Sequence, residues 1–172
     1  MSKAFSHERS SDGKDEWLTP KWITDELGPF DLDPCSPINR PWDTAKEHYN
    51  YLDDGLLKPW FGRVWMNPPY GNQTNAWMKK LKEHGNGIAL IFSRTETSTF
   101  FDHIWTDADS VMFFKGRLSF YHVTGEKGGT AGAPSVLVCY GEENTFALAK
   151  KMETCEKLRG MLIPLDGGML KV

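Results

Sequence analysis

The chain reads as an α/β protein: a mainly parallel sheet with helices on both faces and an antiparallel final strand. Three observations lead there. Gly87–Phe92 (Gly-Ile-Ala-Leu-Ile-Phe) is a short continuous apolar run of the kind carried by strands covered on both faces. Just before it, Thr74–His84 sets Ala76, Trp77 and Leu81 at helical spacing. Apolar runs at 63–67, 111–114 and Ser135–Tyr140 alternate with helical segments, and that alternation predicts parallel pairing through right-handed crossovers. A chain of 172 residues without an internal repeat fits one compact domain.

The elements follow in order. Residues 1–14 are polar and are expected to be disordered, so the domain spans 15–172. Thr19-Pro20 reads as an N-cap followed by proline at the first helical position, opening a short helix with Ile23 and Leu27 on its apolar face and a stop at Gly28-Pro29. Residues 30–34 alternate like a strand and end on Asp33 before Pro34. The polar, proline-broken stretch 35–60 predicts loops with one helical turn near 44–48. Residues 98–105 carry Phe100, Phe101, Ile104 and Trp105 and predict an amphipathic helix. The segment 117–134, with Gly125, Gly128, Gly129 and Gly132, is too long for a mere connection and reads as a flexible loop or hairpin. Residues 144–157 predict a helix, and the remainder a tail.

Composition bounds the function. No apolar stretch approaches the roughly 18 residues of a membrane span, so no membrane partner is expected. Cys35, Cys139 and Cys155 are odd in number and unpaired in spacing, which fits a reducing cytoplasm. With a net charge of −3, any nucleic-acid surface must be a local concentration of Lys and Arg. His48, His84, His103 and His122 are scattered without ligand spacing, so no metal site is expected.

The most informative residues are Asn67-Pro68-Pro69-Tyr70, directly after the apolar Val64-Trp65-Met66. A turn is the plain reading, since Asn and Pro favour turns. The position argues for more, because open α/β sheets bind ligands at the carboxyl ends of their strands. The exocyclic nitrogen of adenine is a poor nucleophile while its lone pair is delocalised into the ring. An Asn side-chain oxygen and a backbone carbonyl, each accepting one N–H, favour a pyramidal nitrogen with a directed lone pair. Asn67 and the Pro68 carbonyl suit those roles, the Pro68-Pro69 pair stiffens the backbone, and Tyr70 offers a face for stacking the base.

In order, the chain carries Trp17-x-Thr19-Pro20, Asp33-Pro34-Cys35, Asp54-Gly55-Leu56, Trp60, Asn67-Pro68-Pro69-Tyr70 and Gly116-Arg117-Leu118-x-Phe120. Over residues 17–141 this order resembles the phage-type, Dam-like family of DNA N6-adenine methyltransferases. The resemblance implies a Rossmann-like methyltransferase fold without a separate target-recognition domain, encoded by a phage or prophage in a bacterial host. It also implies S-adenosylmethionine as cofactor and site-specific methylation of a flipped-out adenine in double-stranded DNA.

By the same resemblance Asn67, Pro68, Pro69 and Tyr70 are catalytic, and Trp17, Thr19, Pro20, Asp33, Pro34, Cys35 and Asp54 bind the cofactor. A helix start at Thr19-Pro20 suits the methionine carboxylate, and Asp33 suits the ammonium or the ribose hydroxyls. One departure is that the Gly-rich loop common after the first strand of methyltransferases is replaced by Ser36-Pro37-Ile38-Asn39-Arg40. Arg94 and Arg117, just beyond predicted strands, and Lys127 in the glycine-rich segment are the candidate DNA contacts, with 39–51 as the other wall of the DNA cleft. The alternatives are N4-cytosine, RNA-base or protein-glutamine methylation, or an inactive DNA-binding module on the same fold. Cytosine-C5 chemistry through a Cys35 thiolate would leave Asn67-Pro68-Pro69-Tyr70 without a role.

Overall fold

The computed structural model describes residues 17–165. The expectation for 1–14 lies outside the described residues. Seven strands form the main sheet: β2 (Leu32–Asp33), β3 (Glu47–His48), β4 (Val64–Met66), β5 (Gly87–Phe92), β6 (Ser110–Phe114), β9 (Ser135–Tyr140) and β10 (Gly160–Pro164). Their order is β10-β6-β9-β5-β4-β2-β3. Pairing is parallel from β3 through β2 and β4 to β5. β9 is antiparallel to both β5 and β6, so β6 runs the same way as β5, and β10 returns antiparallel on β6. Five strands thus point one way, and the antiparallel part comprises two strands rather than the single final one expected.

Alternate residues of these strands feed two apolar layers. Ala89, Ile91, Val136 and Val138 face Trp77, Met78 and Leu81 of α2 (Thr74–His84) and Phe100 and Ile104 of a π-helical turn (Phe100–Ile104). Ile88, Leu90, Leu137 and Cys139 face Ile23 and Leu27 of α1 (Lys21–Leu27) and Leu148 of α3 (Glu142–Thr154). Helices therefore cover both faces, as the doubly apolar strands require. α2 ends where Gly85 takes a left-handed conformation and donates its N–H to the Leu81 carbonyl at 2.9 Å, the terminator a glycine permits at no steric cost.

The second sheet is small. β1 (Trp17–Leu18) and the hairpin of β7 (Ser119–His122) and β8 (Lys127–Thr130) form an antiparallel three-stranded layer in the order β1-β7-β8. This resolves the glycine-rich segment as a hairpin. Leu118 and Phe120 anchor it in the α1/α3 layer.

Four expectations are corrected. The helical turn near 44–48 is instead edge strand β3, which pairs Leu32↔Glu47 and Asp33↔His48. The tail contains β10, held by five residue pairs with β6. The 98–105 helix closes with π-type hydrogen bonding, Trp105 donating to the Phe100 carbonyl at 2.9 Å. Pro20, not Thr19, caps α1, and no side chain hydrogen-bonds to the helix start. Among the described residues no helix is long and apolar enough to cross a membrane.

Candidate active site

β2 and β4 are neighbours that stop at the same edge, and in each case proline follows closely. Pro34 and Pro68 have no N–H to continue a ladder, so the chain leaves the sheet with Asp33 and Asn67 on the carboxyl side of adjacent strands. The two exits are tied together where the Cys35 thiol donates to the Asn67 backbone carbonyl at 3.4 Å. Further along, the Thr74 hydroxyl donates to the Pro69 carbonyl at 2.9 Å, fastening the tetrapeptide to the start of α2. No described residue donates a hydrogen bond to the Pro68 carbonyl.

The Asn67 amide is held at both ends. Its Nδ2 donates to the Trp17 carbonyl at 3.5 Å, and its Oδ1 accepts from the Tyr70 hydroxyl at 3.1 Å. Tyr70 is itself fixed by aromatic packing. Its ring stacks on Phe92 at a centroid distance of 4.1 Å and 8° from parallel, and the Phe120 ring lies near-perpendicular to it at 6.4 Å and 83°. One ring face is thus occupied by Phe92. Burial pushes the Tyr70 hydroxyl above its ordinary range, so it stays a neutral donor. Gly71 turns the chain away at φ +93°, a conformation that favours glycine. Beside this group lies a cavity of about 110 Å³ between Tyr70, Thr74, Phe92, Arg94, Thr99 and Phe100.

Asp33 is 4% exposed and has no ion-pair partner among the described residues. Its Oδ1 accepts the Cys35 N–H at 3.1 Å and its Oδ2 the Thr44 hydroxyl. Burial raises its pKa to about 6, against the lowering effect of these hydrogen bonds and of Arg40. Burial and the Asp33 charge together push the Cys35 thiol well up, which argues against a thiolate there. Behind Thr44 sits His48. Its Nε2 accepts from the Thr44 and Ala45 backbone amides at 3.2 and 3.3 Å, and its Nδ1 lies 3.0 Å from Arg40 Nη2.

Asp54 is exposed, takes a left-handed conformation (φ 51°) and makes no side-chain hydrogen bond among the described residues. Its neighbour Gly55 lies so close to Pro34 that a Cβ there would fall 2.0 Å from the Pro34 carbonyl oxygen. That approach sets the Asp54 loop against Asp33-Pro34-Cys35. Lys80 of α2 secures the loop by donating to the carbonyls of Gly55 at 3.2 Å, Leu56 at 2.7 Å and Lys58. Trp60 adds an indole N–H to Gly55 at 2.8 Å.

At the other side Trp17 stands on β1, its ring 4.5 Å from that of His122, and Thr19 is buried. Pro20 precedes only seven helical residues. Arg94 is exposed just past β5. Arg117 donates to the Ala131 carbonyl at 3.2 Å and so braces the hairpin's own base. Lys127 is exposed on β8 opposite Tyr121.

Pro41 and Trp42, in the segment expected to form the other wall of a DNA cleft, lie against the hairpin. Tyr121 meets Trp42 edge-on at 5.4 Å, and a Cβ on Gly125 would lie 3.3 Å from Pro41, so the two segments pack together. Among the described residues no group of three or more His, Cys, Asp or Glu is placed to hold a metal ion.

The site thus unites Asp33, Pro34, Cys35, Asn67, Pro68 and Tyr70, with Trp17 against them. Sequence reasoning missed Thr44, His48, Lys80 and Phe92. Phe92 had a visible signal, as the last residue of an apolar strand ending at the ligand edge; Thr44 had none. Neither a curated protein nor a solved structure matches the chain. A family model described as DNA N-6-adenine-methyltransferase (Dam) matches residues 6–157, which takes in both strand exits, the Asp54 loop and the hairpin. The chain belongs to the DNA N-6-adenine-methyltransferase (Dam) family.

Proposed function

We propose that the protein methylates N6 of an adenine flipped out of double-stranded DNA, in a specific sequence, with S-adenosylmethionine as cofactor on a Rossmann-like methyltransferase sheet. The observation that carries this reading is the Asn67 amide, held at both ends beside a Pro68 carbonyl that no described residue engages. The Asn67 Oδ1 and the Pro68 carbonyl accept the two N–H groups of the target amine, which draws its lone pair out of conjugation. The Pro68 and Pro69 rings keep those acceptors in place without competing donors.

The residues present fit the cofactor. Asp33 is a buried acceptor without a cationic partner, and an ammonium or a pair of ribose hydroxyls satisfies it. Cys35 donates its N–H to that acceptor and Gly55 packs on Pro34; Pro34, Cys35, Asp54, Trp17, Thr19 and Pro20 are assigned to the remaining cofactor contacts. When bound, S-adenosylmethionine supplies a methyl group activated by a sulfonium. Arg94, Arg117 and Lys127 are assigned to the DNA backbone.

The test offers radiolabelled cofactor to DNA, RNA and protein in parallel, with nucleoside analysis of the product. Label in N6-methyladenine from duplex DNA is expected. Asn67→Ala should lower the rate by about 10²–10³, while the cofactor still raises the melting temperature. Label in another base or in protein, or near-normal transfer by Asn67→Ala, overturns the assignment.

A further inference from the structure

The geometry points to Tyr70 as a positioning residue for Asn67, acting through its hydroxyl and separately from any contact its ring makes with the base. This rests on the proposed reaction. A carboxamide has nearly the same shape in its two flipped orientations, and only one presents its oxygen to a substrate amine. The Trp17 carbonyl can only accept, so it selects the orientation with Nδ2 toward β1. In that orientation Oδ1 faces Tyr70, whose hydroxyl donates at 3.1 Å. The oxygen keeps a second lone pair for the substrate. The hydroxyl is a fixed point because Phe92, stacked at 4.1 Å, and Phe120, near-perpendicular at 6.4 Å, hold the ring. A loose amide would spend part of its time offering N–H groups to a target that has only N–H groups to give.

Tyr70→Phe keeps the ring, its packing on Phe92 and its surface toward a base, and removes only the donor. It should lower kcat by about tenfold, the worth of one hydrogen bond, with KM for DNA and the cofactor-induced thermal shift unchanged. A role in stacking or in folding would move KM or the melting temperature instead. The decisive comparison uses Asn67→Asp, whose carboxylate offers an acceptor oxygen in either orientation. In that background Tyr70→Phe should change kcat less than about twofold, since interacting residues are non-additive. Equal losses in both backgrounds, or wild-type kcat for Tyr70→Phe, would overturn the inference.

A second measurement needs no turnover. The side-chain amide resonances of Asn67, assigned by their disappearance in Asn67→Asp, should move toward free-amide positions in Tyr70→Phe. Unmoved resonances would also overturn it. Absence of methyl transfer by the wild type would count against the proposed reaction, while the resonances report on Tyr70 independently.

Discussion

The Thr44 hydroxyl donates to Oδ2 of Asp33, a carboxylate that is 4% exposed and has no ion-pair partner among the described residues. Burial raises the carboxyl pKa by more than the Thr44 and Cys35 hydrogen bonds and Arg40 lower it, leaving it at about 6. The folded-state value lies above the unfolded one, so this group favours folding at low pH, and that contribution is lost as pH rises from about 4 through about 6.

Asp33→Asn should therefore stabilise the cofactor-free protein at pH 7.5, by at most about 3 kcal/mol, the linkage equivalent of a two-unit shift. The same variant should lose most of the stabilisation expected from S-adenosylmethionine, about 2.7 kcal/mol for a bound ligand at 100 times its dissociation constant. Calorimetry with and without cofactor reads both. A variant less stable alone yet fully responsive to cofactor contradicts the assignment of Asp33.

His48 behaves oppositely. Donors face both ring nitrogens, and the Asp43 carboxylate is 3.9 Å from Nε2. Burial first, then Arg40, lowers its pKa. Its contribution to stability is present in full above the unfolded value of about 6.5 and is lost as pH falls through the folded value. His103, lowered by burial and Lys82, acts in the same window. Melting temperatures between pH 5 and 7.5 should therefore fall less steeply toward acid for His48→Gln than for the wild type, and identical slopes would refute the point.

Arg63 joins the start of β4 to the ends of two helices. Its Nε donates to Asn144 Oδ1 at 2.6 Å, its Nη1 to the Leu27 and Pro29 carbonyls at 2.6 and 3.1 Å, and the guanidinium lies 4.5 Å from the Phe30 ring centroid. Arg63→Met leaves those acceptors unpaired and should cost about 3 kcal/mol in denaturant unfolding. A loss below 1 kcal/mol would mean that water replaces the donors.

The proposed DNA surface can be tested residue by residue. Lys127 is exposed, so Lys127→Ala should reduce the salt slope of log K by about 0.9. Arg117 already serves the Ala131 carbonyl, so Arg117→Ala should also lower the melting temperature. Filter binding across a salt series decides; an unchanged slope for Lys127→Ala removes the hairpin from the DNA interface.

Gly128 offers a remote perturbation. A Cβ there would fall 2.3 Å from the Trp17 ring, and the Trp17 carbonyl holds Asn67. Gly128→Val should lower kcat several-fold by displacing Trp17, without altering Asn67 or Tyr70 themselves. Full activity together with an unshifted melting temperature would show that β1 adjusts freely.

Where sequence carried periodic signal it was sufficient. α2, β5 and β9 agree residue for residue with expectation because each buries a full apolar stripe or run. β3 was invisible, since Glu47-His48 is a two-residue edge with no alternation and its pairing is decided by β2. β10 was read as tail because its side chains are mostly exposed, yet its backbone completes β6. The position of Asn67 and Asp33 at strand ends was legible from the prolines that follow them. Thr44, Lys80 and Arg63 were not, as their partners are 11 to 81 residues away and only the fold supplies them.

The reversed strand β9 also dictates an order of events during synthesis. β5 is complete at Phe92 and β6 at Phe114, but the strand that lies between them begins only at Ser135. Until the ribosome has released some fifty further residues beyond β5, both strands present open apolar edges, and the half-sheet bearing Asp33 and Asn67 stands apart from the half bearing β6. Non-local closure of this kind is slow, and unpaired edges invite association. A message truncated before the codon for Ser135 should yield insoluble product rather than a smaller working domain.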